Sequence, residues 1–204
     1  MKRDIPIRWL NTSLRLGKIE HPIITAAFIL PTPPNRFTEH MNDKPKVYIA
    51  ADHAGFRLKE ALKEHIALLG HEVEDCGAFE YNPEDDYPDF MTPLAKSVVG
   101  NPGSFGVMCG GSGQGEAMCA NRIPGVRAAV FYGPISAKEA LDREGGFSED
   151  GYDAVRLSRR HNNANVLSIG ARFVSAIEAS EALKIFLNTE YTADPRHVRR
   201  LGKY

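Results

Sequence analysis

Phe105-Gly106-Val107-Met108-Cys109, then Gly110-Gly111-Ser112-Gly113-Gln114-Gly115, then Glu116-Ala117-Met118-Cys119-Ala120-Asn121-Arg122 is the stretch that decides the fold. A short apolar run broken by glycines that open a helix reads as strand, loop and helix. The same unit recurs upstream. Val47–Ala51 is an apolar run ending at Asp52-His53, after which Leu58, Ala61, Leu62, Ile66 and Leu69 recur at helical spacing and Gly70 supplies a stop. Glu72–Cys76 suits a second strand, the acidic loop Asn82–Pro88 follows, and a helix is expected over 90–99. Downstream the pattern predicts a helix over 116–122, strands over 126–131 and 166–169, and an amphipathic helix over 175–187. Alternating strands and helices imply an α/β fold, a three-layer α/β/α Rossmann-like arrangement around a five-stranded parallel sheet. Ligands of such sheets bind beyond the carboxyl ends of the strands, where Asp52-His53 and the glycine run both fall.

Composition narrows the classes. The 204 residues (22.5 kDa) suit one domain with a tail or insertion to spare, and 43% hydrophobic with 25% charged residues is a globular balance. Twenty-five basic against 26 acidic side chains give no field that would select nucleic acid or an acidic membrane. No apolar run approaches the ~20 residues of a membrane span. Cys76, Cys109 and Cys119 have no metal-ligand spacing and read as reduced thiols of a cytoplasmic protein. Residues 1–40 differ, with six basic residues against three acids and five prolines. They lack the layout of a signal peptide. Residues 1–44 are read as an N-terminal extension or arm packing on the domain or a neighbouring subunit; a transit peptide is the alternative, and Met41 also resembles an ordinary start. The domain proper is expected over 45–204, with an insertion about 134–157 and a basic C-terminal segment over 194–204. Within that insertion Asp142–Arg156 carries five acids, two arginines and three glycines without periodicity, and reads as a surface excursion or lid.

The glycine run fails the nucleotide templates. The third glycine of a Rossmann fingerprint would fall on Glu116 or Met118, and a P-loop would need Lys-Ser/Thr where Glu116-Ala117 stands. What the run does offer is backbone N–H groups converging on one cavity, suited to a phosphate or a developing oxyanion. Glu116 beside it is either a first-turn acid stabilised by the helix dipole or a working carboxylate. Asp52-His53 is a helix cap with a loop histidine or part of a site. Ser158–Asn163 is a solvated turn or a site loop, and Arg196–Arg200 a charged tail or a cation cluster. No His pair has H-E-x-x-H spacing and Glu84-Asp85-Asp86 lacks the EF-hand pattern, so no metal is expected.

Taken in order, Ala51-Asp52-His53-Ala54-Gly55, Asp86-Tyr87-Pro88, Gly110–Glu116, Ala120-Asn121-Arg122, His161-Asn162-Asn163 and Arg196-His197 resemble the type B ribose-5-phosphate isomerases and the related galactose-6-phosphate isomerase subunits, over about Lys46 to Arg200. The resemblance implies an aldose–ketose isomerase working through an enediolate, with no cofactor and a sugar phosphate as its small-molecule partner. Ribose 5-phosphate to ribulose 5-phosphate is the leading reaction. A six-carbon substrate, allose or galactose 6-phosphate, is the alternative, and a non-catalytic sugar-phosphate-binding protein a third reading. It also implies roles. Glu116 would be the base, and Gly111 and Gly115 in the loop would hold the enediolate with Asn162. Ser112 would bond substrate hydroxyls or relay the proton, and Asp52 and His161 would serve ring opening. His53, Arg172, Arg196, His197 and Arg200 would surround the phosphate, with Tyr87 lining the pocket. The family's site forms between subunits, which implies a homodimer or a dimer of dimers. One branch of the family takes its base from a cysteine in the glycine loop, the other from a glutamate on the following helix. In register, the cysteine position falls on Gly110, with Cys109 one residue off, and Glu116 takes the glutamate position. The chain departs from the pattern in the longer stretch Gly133–Arg160 and in its end at Tyr204.

Overall fold

The computed structural model describes residues 44–141, 146 and 148–203. The arm expected over 1–44 lies outside the described residues except for Lys44. Five strands form one sheet: β1 (Val47–Ala51), β2 (Val73–Asp75), β3 (Phe105–Gly110), β4 (Ala128–Phe131) and β5 (Val166–Gly170). Their spatial order is β2-β1-β3-β5-β4, with every neighbouring pair parallel. The helices are α1 (Phe56–Leu68), α2 (Pro88–Gly100), α3 (Gln114–Ala120), α4 (Asp153–Arg160), α5 (Ala176–Asn188) and α6 (Pro195–Leu201). The expected α/β class and five-stranded parallel sheet are borne out.

Alternation along each strand builds the three layers. Val47, Ile49 and Ala51 share a core with Leu58, Leu62 and Ile66 of α1 and Leu183 and Phe186 of α5. Tyr48 and Ala50 point the other way, into a core with Met91, Leu94 and Val98 of α2 and Ala120 of α3. Both faces of the sheet are covered, so its inner strands read as nearly continuous apolar runs.

Three local readings change. On α1 the inward position expected of Ala61 is exposed, and Lys59 is fully buried instead. Its ammonium donates to both carboxylate oxygens of Asp75, at 2.9 and 2.7 Å, and to the Ala78 carbonyl at 2.6 Å. A lysine breaks apolar periodicity on paper, but a partnered charge over a long apolar stem is tolerated inside. The excursion read to Arg156 ends sooner, because α4 starts at Asp153, whose carboxylate accepts from the Ser148 backbone N–H and hydroxyl. Arg159, placed by one reading in a solvated turn, is buried with its guanidinium 4.7 Å from the Phe105 ring centre. It donates to the carbonyls of Thr189 and Ala164, which holds the turn at 161–163 against the core.

Register sets up the site. Ala51 pairs with Cys109, and Gly110 pairs with Gly170. The carboxyl ends of β1, β3 and β5 are therefore level, and the loops at 52–55, 111–113 and 171–172 meet there. Gly55 is required by this approach, since a Cβ on it would lie 2.0 Å from the Cys109 carbonyl oxygen.

Candidate active site

At the carboxyl ends of β1 and β3 the sequence turns sharply from apolar to small and polar, and the backbone follows. Asp52, buried, accepts through Oδ1 from the backbone N–H groups of Ala54 at 3.0 Å and Gly55 at 3.1 Å, which fixes the turn into α1. The glycine loop is tied to β5: Ala171 N–H donates to the Gly110 carbonyl at 2.8 Å and the Ser168 hydroxyl to the Gly113 carbonyl at 2.6 Å. Gly113 holds φ 72°, and α3 starts immediately after it. The first-turn N–H groups of a helix have no intrahelical partner and face outward along its axis.

Glu116 occupies that first turn with 4 % of its surface exposed. Its Oε2 is buried and has no hydrogen-bond partner among the described residues. Burial pushes its carboxyl above the ordinary range; its own backbone N–H partly opposes this, and Asp52 pushes further in the same direction. A carboxylate with a raised pKa and an unengaged oxygen is suited to taking a proton. Cys109 is the opposite case: fully buried in the core, with its thiol driven well above the ordinary value by desolvation.

Tyr87, at the entry to α2, packs on Gly115, where a Cβ would come within 3.0 Å of its ring. Arg172 lies against Gly111 in the same manner, at 3.3 Å. His53 stands beside Asp52, with Nδ1 2.6 Å from Asp85 Oδ1. Asp52, His53, Tyr87, Gly111, Ser112, Gly115, Glu116 and Arg172 thus form one cluster at one end of the sheet. Asp85 is the member that sequence reasoning passed over. Inside an acidic turn-rich loop, 32 residues from its partner, nothing in the local pattern separates it from Glu84 and Asp86.

Asp52, His53 and Asp85 are a group with metal-type donors among the described residues, their ligand atoms within 4.8 Å of one another. Within this group Asp85 Oδ1 takes two N–H groups of His53 and Asp52 Oδ1 two of the backbone, whereas Asp85 Oδ2 has no partner among the described residues.

His161, Arg196 and His197 form a second cluster elsewhere; Arg200 lies one turn further along α6, and Asn162 lines a separate cleft with Asn121 and Ser158. His161 and Asn162 follow α4 and precede β5, so they lie at the amino-terminal end of the strands. The rings of His161 and His197 stack with centres 4.1 Å apart and 13° between planes, and Arg196 Nε donates to His197 Nε2 at 3.1 Å. Burial lowers the His161 pKa, and His197, Arg196 and Arg160 lower it further against the opposing pull of Asp194. The charged-tail reading of Arg196–Arg200 gives way to a helix, with Asp194 capping α6 and His197 buried. A cleft of about 880 Å³ opens between this cluster and α4. The length of β3 and β5, roughly 15 Å at ~3.3 Å per residue, separates the two clusters within one chain.

Against known proteins, the family model described as Ribose/Galactose Isomerase matches residues 47–144 and 148–204. The chain belongs to the ribose/galactose isomerase family. It is 38% identical over 156 residues to a ribose-5-phosphate isomerase B of Mycobacterium tuberculosis, covering 76% of this chain and 85% of that one. Among solved structures it resembles a ribose 5-phosphate isomerase of Thermotoga maritima (36% identity, TM-score 0.65, 78% of this chain and 96% of the other). It also resembles ribose-5-phosphate isomerase B of Mycoplasma genitalium with bound ribulose-5-phosphate (32% identity, TM-score 0.65, 78% and 92%).

Within this family the geometry at Gly110 has a particular meaning. A Cβ on Gly110 would lie 1.7 Å from Glu116 Oε1 and 2.1 Å from its carboxyl carbon. The Glu116 carboxylate fills the space that a side chain at position 110 would take. Glu116 as placed and any side chain at position 110 would therefore compete for one volume.

Proposed function

We propose that this chain interconverts ribose 5-phosphate and ribulose 5-phosphate through an enediolate, with Glu116 as the base. The observation that carries the assignment of the base is the buried Glu116 Oε2, unpartnered among the described residues, beside the glycine loop. Glu116 takes the proton from C2 of the open-chain aldose, and the electron pair moves to the carbonyl oxygen at C1. The loop around Gly111 and Gly115 holds that oxygen with N–H groups, and Ser112 holds the neighbouring hydroxyl or relays its proton. The C2 hydroxyl then passes its proton to the C1 oxygen, and return of the first proton from Glu116 to C1 gives the ketose. His161, with its pKa lowered, is neutral near pH 7 and can take the hydroxyl proton when the sugar ring opens; Asp52 steadies the ring side. Asn162 assists at the enediolate, Tyr87 lines the pocket, and His53, Arg172, Arg196, His197 and Arg200 surround the phosphate.

One chain cannot bring its two clusters onto one small sugar, given the length of sheet between them. The reading is therefore of a homodimer, alone or paired, in which the Glu116 cluster of one protomer meets the His161 cluster of its partner. None of the described helices is long and apolar enough to cross a membrane. The free thiols of Cys76, Cys109 and Cys119 support the reading of a cytoplasmic enzyme.

A panel of five- and six-carbon aldose phosphates tests the reaction. The highest kcat/KM should fall on ribose 5-phosphate; a preference for allose or galactose 6-phosphate moves the assignment to the six-carbon reaction, and binding without turnover to a sensor. Full turnover is expected to survive exhaustive dialysis against EDTA, because N–H groups hold the developing charge. Loss of activity with EDTA, restored by a divalent ion, would overturn that mechanism.

A further inference from the structure

Asp85 has no part in the proton transfers above, yet it is placed with unusual care for a loop residue. Its side chain is 6 % exposed, while Glu84 and Asp86 on either side face solvent. Oδ1 accepts the His53 backbone N–H at 3.0 Å and lies 2.6 Å from His53 Nδ1, so a single oxygen grips both main chain and ring. Oδ2 is buried with no hydrogen-bond partner among the described residues. Burying a carboxylate is costly unless it is paired, and a loop that only had to turn would leave Asp85 outside with its neighbours.

We propose that Asp85 is a positioning residue for the isomerase, fixing the His53 ring so that Nε2–H, the ring nitrogen left over, is presented to the phosphate end of the substrate. This rests on the reading of His53 as a phosphate ligand. A histidine whose Nδ1 is taken by a carboxylate has its tautomer and plane set, and only Nε2 remains for a ligand. The side chain of His53 is 31% exposed, and Arg172, which lies against Gly111, is near enough to act on the ring electrostatically.

The electrostatics run the same way. The groups facing His53 are Asp85 from the acidic loop, Asp52 from its own turn and Arg172 from the loop after β5. The hydrogen bond to Asp85 raises the imidazole pKa most; burial opposes it, Asp52 and the Asp85 charge add to it, and Arg172 opposes. A cationic donor held in one orientation binds a phosphate dianion more tightly than a freely turning neutral ring.

The test is a cycle of Asp85→Asn and His53→Gln, read in KM and kcat for ribose 5-phosphate, with His53 ring resonances followed by NMR in the ligand-free protein. Asparagine can still accept the His53 backbone N–H, so the loop keeps that anchor. Asp85→Asn should raise KM about tenfold, the weight of one charge-assisted contact, with a much smaller change in kcat. In the His53→Gln background the same substitution should leave KM where it stands, and the His53 midpoint in Asp85→Asn alone should fall toward that of an ordinary imidazole. An unchanged KM in Asp85→Asn, or an equal rise in both backgrounds, overturns the proposal, the latter because Asp85 would then only brace the loop that carries Tyr87. If Asp85→Asn does not fold, His53→Gln alone must raise KM by a similar factor, and an unchanged KM overturns the proposal. If the wild-type enzyme turns over no ribose 5-phosphate, the functional reading fails by itself. The ligand-free titration still decides on Asp85, since an unmoved His53 midpoint overturns its hold on the ring.

Discussion

Glu116→Gln is expected to lose at least about a hundredfold in kcat with little change in KM, because a positioned general base contributes ~10²–10⁴-fold. Glutamine keeps the shape and the hydrogen-bonding edge, so substrate still fits. What goes is the oxygen that accepts the C2 proton. Cys109→Ala should stay within a few-fold of wild type, and iodoacetamide should not inactivate stoichiometrically. The Cys109 thiol is fully buried in the core, far above its ordinary pKa, and therefore neutral and unreachable. A dead Cys109→Ala beside an active Glu116→Gln would move the chain to the cysteine branch.

The same assignment has a pH signature. Desolvation raises the Glu116 carboxyl, so it is protonated, and idle as a base, up to a higher pH than an ordinary glutamate at ~4.3. The acid limb of kcat/KM should accordingly lie above the ordinary carboxylate range and disappear in Glu116→Gln. Gly110→Ala supplies a steric control. Its Cβ would fall inside the space of Glu116 Oε1, so the carboxylate must swing away while remaining chemically intact. Its kcat should fall nearly as far as that of Glu116→Gln. Were Gly110→Ala fully active, the position of the carboxylate would not matter and the base would lie elsewhere.

The sheet and the Glu116 half of the site were legible from residue order. Apolar runs such as Val47–Ala51 and Phe105–Cys109 are buried on both faces, so they stand out without any need for alternation. Each ends on residues with small or polar side chains, and in a parallel sheet those ends share one edge. Other features had no such local signal. Lys59 and Arg159 are charged residues in interior positions, satisfied by partners distant in sequence: Asp75 and Ala78 for one, Thr189 for the other. Asp85 depends on a partner 32 residues away. The separation of His161 and Asn162 from Glu116 was hidden for a related reason. Motif order records what a chain carries, not which end of a strand it reaches, and only the placement of α4 ahead of β5 reveals it.

That separation leads to the second large effect. If Arg196 and Arg200 hold the phosphate, replacing either with alanine should raise KM roughly 10–100-fold, since charge-assisted phosphate contacts are worth ~1.5–3 kcal/mol each. Two alanine variants with wild-type KM would return α6 to the role of a solvated basic helix. The geometry asks for more than a KM change, however. Arg196 stands with His161 and His197, away from the Glu116 cluster, so under the shared-site reading a phosphate held there would belong to a sugar in the glycine loop of a partner protomer. In a twofold dimer each site then draws Glu116 from one protomer and Arg196 from the other. Glu116→Gln and Arg196→Ala damage different halves of the site. A mixed dimer holds one site with both defects and one with neither. Random re-association of equal amounts makes half the dimers mixed, each with one of its two sites intact, so about a quarter of wild-type activity should return at low substrate. Two variants that stay additive when mixed, after exchange of subunits has been verified, would confine each site to a single chain and refute the shared arrangement.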